Sequence, residues 1–295
     1  MAQSRLDGDT PLTTILDIER LDRDLFRAQS PHYTGRRNIF GGQVASQSLM
    51  AAAMTVPPEH RPHSFHLYFM RSGAIGEPIV FYVSRIRDGR SFTTRNVIAQ
   101  QGGEAILTMS ASFHKHEPGD VNYQSAIAPV APPDVAVPTQ DWAIHDHDRR
   151  GYAPLEVIHM GGDAPDATGT YRSAHRVWMR CADKLPDDPL FHACALAYMS
   201  DTQTGSGPVV ASGRGFDAFM MTSLDHALHF HRHVRADEWL LVDFEPMSVT
   251  NGRGMTRATI HSHDGVLGAT VQQELLMREL REGARSHQPG PPERL

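Results

Sequence analysis

Apolar and polar positions recur along this chain in two stretches of the same order. In the first, Val44, Ala45, Leu49 and Ala53 follow a glycine pair, Gly41-Gly42, and the run is closed by Val56-Pro57-Pro58. Proline cannot continue a helix, so the spacing predicts a helix over 42–55. Four β-rich segments follow at 63–71, 78–87, 91–101 and 104–115, with hairpin chemistry at Asp88-Gly89 and Gly102-Gly103. In the second stretch, Asp187-Asp188-Pro189 supplies a helix start, with acids at the positive end of the dipole and proline in the first turn. This predicts a helix over 190–200. Strands are expected before it at 155–160 and 172–182, and after it near 222–231, 238–248, 253–263 and 267–278. Between helix and strands, 204–215 reads as a Gly/Ser-rich loop. Residues 12–26 read as a short helix and a strand, 34–38 as a loop, and 1–10 and the tail from Arg281 as polar ends.

The shared order predicts a duplicated module, one long helix beside an antiparallel sheet in each copy. The hairpins are expected to align Asp88-Gly89-Arg90 with Asn251-Gly252-Arg253, Thr93 with Thr256 and Gly102 with Gly265. The division expected is a first module at 12–116, a linker at 117–151 rich in proline, and a second module at 152–280. The two helices differ in one respect. No Asp or Glu occurs from Gly41 to Val56, whereas the second helix ends in Tyr198-Met199-Ser200-Asp201. That asymmetry suggests one site of chemistry on a doubled scaffold.

Composition narrows the classes of function. The chain has 295 residues, a formal charge of -6 and no basic block that could neutralise phosphates, so nonspecific nucleic-acid binding is not expected. No apolar run reaches the roughly 18–20 residues that span a bilayer, and no secretory leader is evident. Cys181 and Cys194 are the only cysteines and form no CxxC pair, so neither a disulfide framework nor a structural zinc site is expected. A cytoplasmic location follows as the expectation. The terminal Glu293-Arg294-Leu295 has Glu where a peroxisomal signal has a small residue, and reads as a solvated tail.

Several chemical readings are open at the level of residues. His226, His229, His231 and His233 resemble a metal cluster, but no carboxylate or cysteine partners can be placed beside them, and a structural role is expected. Gly205-Ser206-Gly207 lacks the spacing of a nucleophile elbow, and Gly41-Gly42 is followed by no phosphate-loop lysine. Asp201 at a helix end would ordinarily be a capping or solvated residue.

Phe40-Gly41-Gly42-Gln43-Val44, His63-Ser64-Phe65-His66 and Arg87-Asp88-Gly89-Arg90-Ser91-Phe92, continued by Ala197-Tyr198-Met199-Ser200-Asp201, Ser223-Leu224-Asp225-His226, Phe230-His231-Arg232, Asp237-Glu238-Trp239-Leu240, Asn251-Gly252-Arg253-Gly254 and Val271-Gln272-Gln273, resemble the type II acyl-CoA thioesterases. The resemblance runs from about Leu12 to Arg278. It implies an α+β double hotdog, two helix-wrapped antiparallel sheets in one chain, and hydrolysis of fatty acyl-CoA to a free acid and CoA without metal or redox cofactor. It carries a catalytic set onto Asp201, Ser223 and Gln272. Gly41, Gly42 and Gln43 are the expected substrate-binding residues, with the glycines allowing close approach. The implied partners are acyl-CoA and further copies of the chain, with no nucleic acid and no membrane.

The residues leave two difficulties. In an unbroken strand Ser223 shares a face with Asp225, Ala227 and His229, opposite the apolar positions, so it must sit at a strand start or a bend to face the helix. Gln272 alternates with Thr270 and Glu274, which fits a solvent face equally well. Two other functions compete: a hotdog hydratase or dehydratase, which would carry a His about five residues from the acid, and a noncatalytic acyl-CoA binder.

Overall fold

The computed structural model describes residues 10–30, 38–119, 121–127, 129–135 and 154–280. The polar ends before Thr10 and after Leu280, the expected loop up to Arg37, and 136–153 of the linker region lie outside them. The first half contains α1 (Leu12–Ile15), β1 (Glu19–Asp22), β2 (Leu25–Ala28), α2 (Gly41–Ala53), β3 (His60–Phe69), β4 (Ile79–Asp88), β5 (Phe92–Gln101) and β6 (Glu104–Lys115). The second contains β7 (Leu155–Gly161), β8 (His175–Cys181), α3 (Pro189–Ser200), α4 (Ser206–Ala211), β9 (Phe219–Ser223), β10 (Asp225–Phe230), β11 (Leu240–Thr250), β12 (Arg253–Ser262) and β13 (Leu267–Glu279).

The strands form one antiparallel sheet in the order β1-β2-β4-β5-β6-β3-β10-β13-β12-β11-β8-β7, with β9 added beside β13. Read outward from the centre, the halves run β3, β6, β5, β4, β2, β1 and β10, β13, β12, β11, β8, β7, the same sequence of elements twice. They meet where β3 pairs with β10, Phe65 opposite Leu228 and His66 opposite Ala227. This is the expected double hotdog.

Both long helices lie on one face of this sheet and pack on each other, α2 across β3 to β6 and α3 across β3, β8 and β10. A helix apolar or small on every side is suited to that enclosed position. All residues from Gly42 to Ala52 are buried. Two of the polar ones among them find partners inside: Gln47 Nε2 donates to the Ile15 carbonyl at 2.8 Å and Ser46 Oγ to the Gln43 carbonyl at 2.9 Å. Helix α3 begins as its sequence predicts, with Pro189 in the first turn and the Asp188 carboxylate accepting from Leu190 N–H at 3.0 Å. The helices approach to backbone contact. A Cβ on Gly42 would stand 2.4 Å from the Tyr198 carbonyl oxygen, and the rings of Phe40 and Tyr198 pack edge to face at 5.0 Å.

The structure departs from the expected pattern at four places. Residues 12–26 give a short helix and then a two-strand hairpin with β2. The expected loop at 204–215 contains α4, which packs on β11 and β12 with Gly207 against Thr256. The expected strand at 222–231 is broken at Leu224 into β9 and β10. The hairpin alignment also shifts. The last pair before a strand irregularity is Pro62 with Phe113 in β3–β6 and Ser223 with Leu275 in β9–β13. Two positions further in, Ala111 lies opposite Arg95 and Gln273 opposite Thr256. Arg95, not Thr93, therefore occupies the place of Thr256. The cause is the turn: Asp88 pairs with Thr93, leaving room for four residues, whereas Thr250 pairs with Arg253 across Asn251-Gly252.

Candidate active site

The break at Leu224 is a β-bulge that redirects Ser223. Ser223 lies opposite Leu275 but Ala227 opposite Gln272, so one extra residue is accommodated on the β9–β10 side. Leu224 N–H donates to the Glu274 carbonyl at 3.0 Å, and the Asp225 carboxylate accepts from Glu274 N–H at 2.7 Å, filling the place of a ladder partner. One inserted residue reverses the side-chain alternation. Ser223 thereby joins His226 and Leu228 on the face under the helices, which answers its parity difficulty.

A buried run of polar contacts starts there. Gln273 Nε2 donates to Ser223 Oγ at 2.6 Å, and Gln273 Oε1 meets His226 Nδ1 at 2.5 Å. His226 Nε2 in turn meets Ser200 Oγ at 2.8 Å. Gln273, His226 and Ser200 are all buried. The amide orientation places one proton: Oε1 can only accept, so Nδ1 carries a hydrogen, and the Ser200 hydroxyl, which also reaches the Ala197 carbonyl at 3.1 Å, can donate to Nε2. This requires a neutral imidazole. Burial pushes the His226 pKa down to about 4, against a smaller upward pull from Gln273.

The residue after Ser200 is Asp201, the C-cap of α3. A Cβ built on Gly41 would stand 2.7 Å from Asp201 Oδ2 and 2.8 Å from the Phe69 ring, so a side chain at the start of α2 would have to displace the carboxylate and the ring. Phe40, the N-cap of α2, offers no side-chain hydrogen bond, and the first intrahelical bonds come from Gln43 and Val44 N–H to the Phe40 carbonyl. The Gly41 and Gly42 amides thus lie ahead of the helical ladder, at the positive end of the helix, with Gly41 beside the carboxylate.

The expected residues separate as follows. Ser223 is joined by hydrogen bonds through Gln273 and His226 to Ser200, Asp201 follows Ser200 in the chain, and Gly41 borders Asp201. Gln43 is buried behind them, its amide donating to the Gln29 carbonyl at 3.4 Å. Gln272 is exposed on the opposite face of β13, and the structure does not bring it to Ser223. The glutamine at the site is its neighbour. The signal was in the sequence: Ala269, Val271, Leu275 and Met277 mark the core face of β13, and Gln273 belongs to that set. His226 and Ser200 carried no comparable signal, because their roles depend on the bulge and on the helix end.

His231 and His233 take different partners. His231 Nε2 meets Thr270 Oγ1 at 3.0 Å, while the His233 ring packs edge to face on His192 at 5.5 Å. Cys181 and Cys194 are buried, and burial raises both thiol pKa values, so neither is a nucleophile at neutral pH.

The family described as Acyl-CoA thioesterase N-terminal domain matches residues 29–114, and Acyl-CoA thioesterase C-terminal domain matches residues 129–277. The chain belongs to the type II acyl-CoA thioesterase family. It is 31% identical to acyl-coenzyme A thioesterase 8 of Rattus norvegicus over 90% of this chain and 88% of that one. It is also 31% identical to acyl-CoA thioesterase 2 of Haemophilus influenzae, over 90% of this chain and 96% of the other. Among solved structures, the acyl-CoA thioesterase II TesB2 of Mycobacterium marinum superposes with a TM-score of 0.77 at 40% identity, covering 91% of this chain and 98% of its own. Among the described residues of this thioesterase, no helix is long and apolar enough to cross a membrane.

Proposed function

We propose that this acyl-CoA thioester hydrolase works by general-base attack of water, with Asp201 as the base and Ser223 and Gln273 holding the water. The observation that carries this reading is the buried run Ser223–Gln273–His226–Ser200, which ends next to Asp201. A thioester carbonyl is already electrophilic, so the main requirements are an oriented water and a stabilised oxyanion. The water oxygen bonds to the carbonyl carbon as its proton passes to Asp201. The first amides of α2, at Gly41 and Gly42, stabilise the oxyanion. Collapse breaks the C–S bond, and the proton held by Asp201 passes to the leaving thiolate. The products are a free fatty acid and CoA, which places the protein in lipid metabolism. A cytoplasmic location, self-association and modules at 12–116 and 152–280 belong to the same reading.

Measuring free-thiol release by Asp201→Asn tests it. With the unfolding midpoint unchanged, kcat is expected to fall by about 10²–10⁴-fold. The acid limb of the kcat–pH profile, where the base becomes protonated, is expected to disappear. A folded Asp201→Asn protein that releases CoA at a near-normal rate would sink the mechanism.

A further inference from the structure

The pseudo-symmetry of the fold leaves a second half-site at the opposite end of the helix pair. There, at the start of α3, lies a cavity of about 290 Å³. Its apolar wall is made by Ala193, Leu196, Phe230 and Val234. Its polar lining consists of Arg61, Arg232 and five histidines, and among the described residues no carboxylate lines it. Such a local excess of cationic groups is notable in a chain of formal charge -6.

Among the described residues, the two arginines pair with no carboxylate. Arg61 donates to the Pro58 carbonyl, and Arg232 to Asn122 Oδ1 at 2.5 Å and the Tyr123 carbonyl at 3.1 Å, all neutral acceptors. The histidines have other partners: His63 Nε2 meets Ser112 Oγ at 2.7 Å, and His114 stacks on Phe92 at 4.4 Å with Glu117 3.7 Å away. Burial lowers the pKa values of His63 and His231, and the guanidinium groups of Arg61 and Arg232 are fixed positive charges. The cavity runs along α3 from Pro189, a rise of about 18 Å from Asp201, to Leu196, a rise of about 7.5 Å from it.

We propose that this cavity is a second, non-hydrolytic ligand site for an aliphatic carboxylate, with the alkyl chain on the apolar wall and the anion on Arg61 and Arg232. The volume falls near the lower end of the roughly 300–1,000 Å³ usual for small-molecule sites. Acids of this class are what the hydrolysis releases, so occupancy would follow product. The binding itself does not depend on the mechanism assigned to Asp201.

Titration calorimetry of octanoate into the full chain tests the site, using wild type, Asp201→Asn, the double variant Arg61→Gln/Arg232→Gln, and Ala193→Phe, which fills the cavity from its half-buried wall. Octanoate is expected to bind wild type and Asp201→Asn equally. Kd is expected to rise at least tenfold in the arginine double variant and in Ala193→Phe, with hydrolysis unchanged in both. Acetate, which lacks the chain, and 1-octanol, which lacks the charge, are expected to bind at least tenfold more weakly. Unchanged binding in either cavity variant overturns the proposal, as does no binding to wild type at millimolar octanoate. Loss of binding in Asp201→Asn alone places the acid in the catalytic centre and also overturns it.

Discussion

The two half-sites of this protein share a backbone plan and differ in nearly every side chain that chemistry needs. Helix α3 ends in Ser200 and Asp201, and α2 in Ala53 and Met54. The bulged strand presents Ser223 in the second half and Pro62 in the first. The place of Gln273 is taken by Ala111, and beside it Phe65 stands where His226 stands. The helix starts differ as well. Phe40 leaves the first amides of α2 without a side-chain cap, whereas the Asp188 carboxylate occupies the first turn of α3. The scaffold thus occurs twice, while in the proposed mechanism a working centre takes an acid from one half and an uncapped helix start from the other. Only one of the two possible pairings has both.

Replacements that copy the first half into the second sharpen this contrast. Gln273→Ala, which reproduces Ala111, is expected to lower kcat about 10²-fold with little change in KM, read by thiol release. His226→Phe reproduces Phe65 and leaves the Gln273 carbonyl and the Ser200 hydroxyl without their imidazole. The expected loss is roughly tenfold in kcat, through misorientation of Gln273. Stability supplies a second readout for the same variant. The folded pKa of His226, about 4, lies below the ordinary 6.5, so the unfolded chain binds more protons between those values. Wild-type stability should therefore fall with acidification from pH 6.5 to about 4, this group contributing up to about 1.4 kcal/mol per pH unit. The contribution is absent in His226→Phe. His175, pushed down to about 3 by burial, adds the same trend to both proteins and cancels in the difference. Denaturant midpoints across that pH range provide the check.

Gly42→Ala attacks the contact between the halves. Its new methyl would meet the Tyr198 carbonyl and the Phe40 ring, and an expected cost of about 1–3 kcal/mol should show in urea unfolding. Gln272→Ala is the smallest change. It alters an exposed position, so stability is expected to hold within about 0.5 kcal/mol and the rate to stay close to wild type. A large rate loss in Gln272→Ala with none in Gln273→Ala would reverse the placement of the two glutamines.

Much of this architecture can be read along the chain because its signals are local. Proline stops, glycine turns and apolar periodicity mark α2, α3 and most strands, and the absence of acid in α2 marks the asymmetry. Asp201 and Ser223 could be singled out by resemblance. The step from Gln272 to Gln273 needed one residue of register, which alternating burial in β13 encodes but a motif does not. The Leu224 bulge is a property of pairing between β9, β10 and β13, since Asp225 stabilises it through a backbone amide 49 positions away in sequence. Helix α4 escaped because Gly205, Gly207 and Pro208 read as loop residues, while Gly207 is needed for contact with Thr256. The Arg95 position was hidden by two extra residues in a turn.

The most direct test of a single centre per chain is the turnover of Asp201→Met/Gln273→Ala, in which both half-sites carry the first half's residues at those positions. With the protein folded and acyl-CoA saturating, thiol release is expected to fall to the uncatalysed background. A residual rate near half of wild type would mean that the first half also hydrolyses, and would contradict the one-centre account.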